Sequence, residues 1–557
     1  MKKTIAILLS TVLLLLSFVS CQPEESPLPN EDPQDQALIE DLSGYTVIIP
    51  SNPDREISTA ATALVNAIAE KTGVTLEIRE DFIIEERGIV EVDREILIGA
   101  TNREASKGYD ILLHDDYEVA VVESKLFMLG GSLSATVNAV TAWIELYLSK
   151  SYASELAVYA DALLSYRHAY AIRSFSLNGI DIREWQIVYP INSVYLRSAA
   201  EKLSQGILQL TGMEISVVSD GKYQKKTNAN AILIGVTKQG AYAESLAQNT
   251  AVYASEAGLF RIQGGSEFDT VRAVNLFLEL LLTQSGAVAL DYSTAQIQPL
   301  EAAKEYSVMS FNVLGTDIDA RVSLVADAIL THLPDSVGIQ EGNSTWVNEL
   351  SNALASHYDY VNPHNASSNL LLNAIFYRRD KLKLIESGGY WLSATPNNPS
   401  KFPNTDQRRV VMYAVFEDLE TGERFTHYNT HIGWNNDGGN DVPAKQCDVI
   451  MTKAENDFPY PYVVTGDFNT MPTSSLYKSL TKTWWDARKV AEKTTEDWTC
   501  DFKIMDYCFL SNQVFATEFY VVNDPYVDKV SFNNGETKGQ SYYLSDHYPI
   551  VVKFYLP

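Results

Sequence analysis

Six short segments between Tyr306 and Phe554 set chemistry-bearing residues against strand-like apolar runs. YSVMSFNVLG alternates so that Val308, Ser310 and Asn312 share one face and Met309 and Phe311 the other, with Asn312 where the apolar run stops. DSVGIQEGN closes a buried-strand pattern on Glu341. A carboxylate there is costly unless paired or bound to a metal, and Mg2+ asks for few carboxylates because waters and phosphate oxygens complete its shell. In FTHYNTHIGW, Asn429 and His431 stand two apart and so point to one side. A His at that place can bind phosphate or protonate a leaving group. PYVVTGDFNTMP repeats the spacing with Asp467 and Asn469, after a Gly466 that allows close backbone approach. KIMDYCFLS sets Asp506 inside an apolar strand, where it needs a His or a metal beside it. SYYLSDHYPIVVKF puts Asp546 and His547 before a last strand, Ile550 to Phe554. An adjacent Asp and His can serve one site from a loop, the Asp on a metal and the His on a phosphate. Taken singly, such an Asn is most often a turn residue and such a His a core or surface residue; the ordered set carries the information.

In this order the segments SFN, QEG, NTH, GDFN, MDY and SDH resemble the endonuclease/exonuclease/phosphatase superfamily, as do AIFYRRDKLKLIESGGYWLS (374–393) and RRVVMYAVF (408–416). The resemblance implies a four-layer α/β sandwich over 303–557, with two mixed sheets face to face and helices outside. It implies a metal-dependent phosphoester hydrolase using Mg2+ (or Mn2+). By position, Glu341 matches the principal metal ligand, with Asn312 and Asp546 nearby. Asp467 matches the residue that orients or deprotonates the attacking water, and Asn469 its phosphate-holding partner. His547 matches the His that stabilises the phosphoryl transition state, and Asp506 the carboxylate that orients it. His431 matches a position near the leaving group where some relatives carry Tyr, and Arg409 an Arg that helps hold phosphate. Such a reaction needs an in-line water, charge relief on the equatorial oxygens and a stabilised leaving oxygen, so each motif has a task.

The rest of the chain must position or deliver this region. A length of 557 residues exceeds one ordinary domain. The net charge of −28 argues against a general nucleic-acid binder, whose affinity comes from Lys and Arg on phosphates. A local basic cleft, with Lys401, Arg408 and Arg409 as candidates, would be needed for a nuclease. The four Cys (Cys21, Cys447, Cys500 and Cys508) form neither a disulfide framework nor a zinc spacing. Cys500 and Cys508 could bridge across a short hairpin.

At the N-terminus, Lys2 and Lys3 precede an apolar stretch, Thr4 to Val19, of signal-peptide length. Phe18-Val19-Ser20-Cys21 resembles the lipobox of bacterial lipoproteins, with Phe18 in place of the usual Leu. Residues 1–21 are thus expected to be a signal peptide ending at a lipidated Cys21, leaving the chain anchored in the cell envelope and facing outside the cytoplasm. Pro- and acid-rich residues 22–40 then read as a flexible tether.

Two similar halves follow, 41–165 and 166–302. EILIGATNRE (95–104) matches AILIGVTKQG (231–240), and LFMLGGSLSATVNAVTAWIELYL (126–148) matches LFRIQGGSEFDTVRAVNLFLELLL (259–282). Ordered matches at near-constant spacing point to duplication. Each half alternates helix and strand signals, giving two small α/β modules, with Ser132 and Ser266 as helix N-caps. The modules resemble the small domain that precedes the catalytic domain in some glycoside hydrolases. That suggests spacing, or docking to a glycan or another cell-envelope partner. The GGS turns read as tight strand-to-helix turns rather than phosphate sites.

The leading expectation is an extracytoplasmic phosphodiesterase or phosphatase acting on a small or envelope-associated phosphoester. The alternatives are a secreted nuclease acting on DNA or RNA, and a glycan-binding surface lipoprotein with a non-catalytic C-terminal scaffold.

Overall fold

The computed structural model describes residues 36–82, 93–107, 112–223, 230–315, 318–361, 373–405, 407–434, 441–500, 502–523, 530–531, 541–542 and 544–557. Cys21, the apolar leader, most of the tether and 435–440 of the polar loop after His431 lie outside the described residues. Among the described residues no helix is long and apolar enough to cross a membrane. The chain divides into two compact units between Pro299 and Leu300.

The first unit holds two six-stranded sheets with the same strand order. In one the order is Glu77–Glu80, Thr46–Ile49, Glu95–Ile98, Lys125–Gly130, Tyr117–Val122 and Leu164–Tyr166. In the other it is Val217–Ser219, Trp185–Tyr189, Asn230–Ile234, Leu259–Gly264, Thr250–Glu256 and Gln296–Pro299. Each sheet carries two amphipathic helices, Arg55–Thr72 and Leu133–Ser149 in the first and Val194–Thr211 and Glu267–Leu282 in the second. Ser132 and Ser266 cap the later helices by accepting from the backbone N–H three residues on. The preceding Gly-Gly turns are filled by the chain itself. A Cβ on Gly131 would stand 1.9 Å from the Leu113 carbonyl oxygen, and one on Gly265 1.9 Å from that of Ala247.

The second unit is the sandwich. Its elements are β1 (Glu305–Asn312), α1 (Ile318–His332), β2 (Ser336–Gln340), α2 (Ser344–Ala353), β3 (Tyr358–Val361), β4 (Ile375–Arg378), β5 (Leu382–Trp391), β6 (Val410–Asp418), β7 (Arg424–His431), α3 (Val442–Asn456), β8 (Tyr462–Asp467), α4 (Ser475–Leu480), β9 (Trp485–Asp486), β10 (Lys493–Thr494), β11 (Asp506–Leu510), β12 (Phe515–Val521) and β13 (Ile550–Tyr555). One mixed sheet runs β3-β4-β2-β1-β13-β12-β10 and the other β5-β6-β7-β8-β11-β9.

Strand alternation builds the four layers. Val308 joins Met412, Phe416, Phe425, Val463 and Val552 in the core between the sheets. Its neighbours Met309 and Phe311 turn outward and pack with Val325, Ile329, Trp346 and Leu350 of α1 and α2. On the other side Tyr428, Tyr462 and Val464 pack with Cys447 and Ile450 of α3 and with Tyr477 and Leu480 of α4. Burying each large apolar side chain contributes about 1.5–3 kcal/mol, so the three apolar layers fix which way every strand faces. Polar residues at the ends of the inward faces are thereby pointed into the gap between the sheets.

Candidate active site

Register brings the predicted residues together. In one sheet β7 and β8 are parallel with His431 opposite Asp467, and β8 and β11 antiparallel with Asp467 opposite Asp506. His431, Asp467 and Asp506 thus form a row across three strand ends. Asp506 is the first residue of β11 rather than an interior one, which is what lets it share that row. In the facing sheet Asn312 ends β1 opposite Gln340 of β2, and Glu341 is the next residue. The sheets meet through Asn312, whose Nδ2 donates to Glu341 Oε1 and to Asp467 Oδ2, both at 3.1 Å. The segment before β13 carries His547, with Nδ1 2.8 Å from Asp506 Oδ2 and Nε2 3.7 Å from Asp467 Oδ2. Asn469 donates its backbone N–H to Asp467 Oδ1 at 2.8 Å, and its Nδ2 stands 3.0 Å from His431 Nε2. Glu341 and Asn469 have φ of 62° and 46°, left-handed conformations that non-glycine residues hold where surrounding structure imposes them, often at functional sites.

The electrostatics follow from burial. Asp467 is held above the usual carboxylate range, first by desolvation and then by the neighbouring Asp506 charge. Burial disfavours the charged form of His547. The charge and hydrogen bond of Asp506, a hydrogen bond with Cys500 and the charge of Asp467 outweigh that and push it up to about 12. His431 is held well below its ordinary value by burial, then by Arg409 and His547. The pocket therefore pairs a charged imidazole on one side of Asp467 with a neutral one on the other.

Two predicted residues stand differently. Asp546 is exposed, with Oδ1 accepting from Ser545 Oγ at 3.3 Å, and it is outside both groups of closely spaced ligand atoms. Arg409 is buried and near enough for its charge to act on His431. Cys500 and Cys508 are free thiols, as is Cys447.

The supports of the site were not read from the sequence. Thr499 Oγ1 accepts the backbone N–H groups of Met505 and Asp506, at 2.9 and 3.1 Å, and so fixes the start of β11. Ser545 Oγ donates to the Asn312 carbonyl at 2.6 Å and accepts from His547 N–H at 3.2 Å. Buried Arg321 donates to the carbonyls of Val313, Leu314 and Leu544, tying the loop after β1 to the segment before His547. Deeper between the sheets, Asn429 accepts from Gln340 Nε2 at 2.7 Å and donates to the Ile339 carbonyl at 2.8 Å. His427 lies between Ser336 Oγ and Thr465 Oγ1, each at 2.7 Å. The signal for this polar ladder was present: His427, Asn429 and His431 alternate along β7.

A divalent cation fits these residues. Ligand atoms of Glu341, His431 and Asp467 lie within 4.8 Å of one another, as do those of Asp467, Asp506 and His547. Buried His431 Nδ1 and Asp506 Oδ1 have no hydrogen-bond partner among the described residues.

Residues 309–547 match the model of the endonuclease/exonuclease/phosphatase family. Similar solved structures include a family protein from Bacteroides thetaiotaomicron, 22% identical with a TM-score of 0.42, covering 46% of this chain and 99% of that one. A family protein from Bacteroides vulgatus is 24% identical with a TM-score of 0.40, covering 46% of this chain and all of that one (100%). A mannosyl-6-phosphatase from Bacteroides thetaiotaomicron is 22% identical with a TM-score of 0.41, covering 45% of this chain and 99% of that one. No curated protein matches the chain. Over residues 309–547 the chain is therefore similar to the endonuclease/exonuclease/phosphatase family, the resemblance that the ordered motifs carry.

Proposed function

We propose that this protein is an extracytoplasmic, metal-dependent phosphoester hydrolase, a phosphodiesterase or phosphatase acting on a small or envelope-associated substrate. The observation that carries the reading is the position of Asp467, which is buried between Asn312, His431 and the Asp506–His547 pair. Asp467 takes the part of the group that orients and deprotonates the attacking water. His547, kept charged by Asp506, neutralises charge on the phosphoryl oxygens. Asn469 and Arg409 hold the phosphate, and neutral His431 donates toward the leaving oxygen. Glu341 and Asn312, with Asp546 from its loop, would hold Mg2+ or Mn2+, which supplies Lewis acidity when bound.

The N-terminal charge pattern, apolar stretch and Cys21 support export and a lipid anchor, with the duplicated modules spacing the enzyme and docking it to a glycan or other envelope partner. Net charge disfavours polynucleotide substrates. Hydrolysis of bis-p-nitrophenyl phosphate, a monoester, sphingomyelin and DNA, with and without EDTA, tests the reading. EDTA-sensitive turnover of a small ester above that of DNA is expected. Undiminished turnover in Asp467→Ala or His547→Ala would overturn the mechanism.

A further inference from the structure

The segments that carry Asn312, Glu341 and Asp546 are far apart in the chain, and one buried side chain reaches all three. Arg321 stands in the first turn of α1 and is 2% exposed. Its Nη1 donates to the Leu314 carbonyl at 2.8 Å and its Nη2 to that of Val313, in the loop after Asn312. Its Nε donates to the Leu544 carbonyl at 2.9 Å, two residues before Asp546. Its guanidinium carbon lies 5.4 Å from the centre of the Trp346 ring. Trp346 is buried in α2, the helix that Asn343 caps two residues after Glu341.

The contacts continue to the candidate ligands themselves. Leu314 is held at φ 52°, a left-handed conformation that the surrounding structure must impose. From there the Leu314 N–H is donated to Asn312 Oδ1 at 3.1 Å, and the Gly315 N–H to Glu341 Oε2 at 3.4 Å. The first bond fixes the Asn312 amide with its Nδ2 toward Glu341 and Asp467. On the other side Ser545, next to Leu544, donates its hydroxyl to the Asn312 carbonyl at 2.6 Å.

Helix and core gain little from a cation at this place. The helix dipole disfavours positive charge in a first turn, and burying a guanidinium is costly unless its donors are bonded. An apolar side chain of similar volume would fill the space without that cost. It could not supply a rigid fork of donors that joins carbonyls of two segments while its flat face packs on a third.

We propose that Arg321 is the positioning residue of the cation site. It sets the spacing of the Asn312, Glu341 and Asp546 segments and with it the affinity for a divalent metal. The inference rests on the assignment of the cation to those three residues above. Arg321 acts through the carbonyls it holds and takes no part in bond breaking.

Titration of the full chain with Mn2+, followed by the electron paramagnetic resonance of the free ion, tests this. The parent protein is expected to bind, and Arg321→Met to weaken binding about tenfold or more, as when outer support of a metal site is lost. Arg321→Lys, which keeps the charge but not the fork, weakens it by a smaller factor. Trp484→Phe, in the outer core of the other sheet, is the stability control: it lowers the thermal midpoint and leaves Mn2+ affinity unchanged. Circular dichroism fixes the folded fraction of each variant, and Arg321→Lys decides where Arg321→Met does not fold. Unchanged affinity in the deciding variant overturns the positioning role while the metal reading stands. An equal loss in Trp484→Phe makes the effect one of stability and overturns the role as well. A parent protein with no affinity for Mn2+ overturns the metal reading, and the role with it.

Discussion

Buried carboxylates stand at strand ends in both units, under opposite treatment. In the first module both Asp81 oxygens accept backbone N–H groups. Glu95 is flanked there by Arg103 Nη2 at 2.9 Å and Lys125 Nζ at 3.0 Å. In the sandwich, Asp467 faces another carboxylate, and Asp506 keeps an oxygen without a partner among the described residues. A saturated carboxylate holds loops in place. An unsaturated one raises the free energy of the fold and leaves attraction for something that binds later. The same residue type thus reads as scaffold in one unit and as chemistry in the other, and the difference lies in its partners.

The strongest way to break that contrast is to remove the sandwich carboxylate. Asp467→Ala and His547→Ala are each expected to lower kcat by about 10²–10⁴-fold. Asp467→Asn should leave the thermal midpoint unchanged or raise it, since it relieves a buried charge. A midpoint that falls together with activity would make Asp467 structural after all.

The opposite outcome is expected in the module. Glu95→Ala leaves Arg103 and Lys125 buried without their shared anion and should cost roughly 3–5 kcal/mol in urea unfolding, with activity of the folded enzyme unchanged. By strand register the second module carries Ala231, Gln239 and Leu259 at the matching places. Introducing Glu95→Ala, Arg103→Gln and Lys125→Leu together should therefore recover most of the loss. A triple variant as unstable as the single one would refute the equivalence of the two sheets.

How much of this was legible in the sequence follows from the range of the signals. Period-two alternation gave the faces of β1, and two-residue spacings gave the paired directions of Asn429 with His431 and of Asp467 with Asn469. Spacing gives direction but not depth. Asn429 shares a face with His431 yet lies one step inside the sandwich, bonded to Gln340. Asp546 sits beside His547 in the chain, but the local turn leaves its carboxylate exposed. Arg321 and Ser545 escaped notice because they bond backbone carbonyls more than 200 positions away in the chain, at Leu544 and Asn312; nothing local marks such a contact. The free oxygen of Asp506 was equally invisible, because sequence shows a residue and not its missing partner.

Metal addition sharpens the comparison further. If the sandwich carboxylates await a cation, Mn2+ at about 100 times its Kd should stabilise the C-terminal unit by roughly 2.7 kcal/mol. Glu341→Gln should abolish that gain, whereas Glu95→Gln should not. Equal stabilisation of the Glu341→Gln protein would detach the metal from this pocket.

The smallest effect concerns a buried group that is satisfied yet pH-sensitive. His427 bridges the sheets through Ser336 and Thr465, and burial lowers its pKa from 6.5 to about 3. The folded chain therefore keeps this imidazole neutral where the unfolded chain takes up a proton. Its contribution is fully present above 6.5 and is lost as pH falls from 6.5 toward about 3. The loss should run at about 1.4 kcal/mol per pH unit once the unfolded imidazole is protonated. Buried His431 and the raised Asp467 carboxyl act in the same window, so the His427 share is the difference between the profiles of the parent protein and a His427 variant. His427→Gln can keep a polar bridge but not the proton, so its stability should be flatter across that window even if lower at pH 8. Parallel urea-midpoint profiles for the two proteins would mean that the imidazole is protonated in the folded chain. The ladder between the sheets would then belong with the charged chemistry of the pocket rather than with the neutral scaffold.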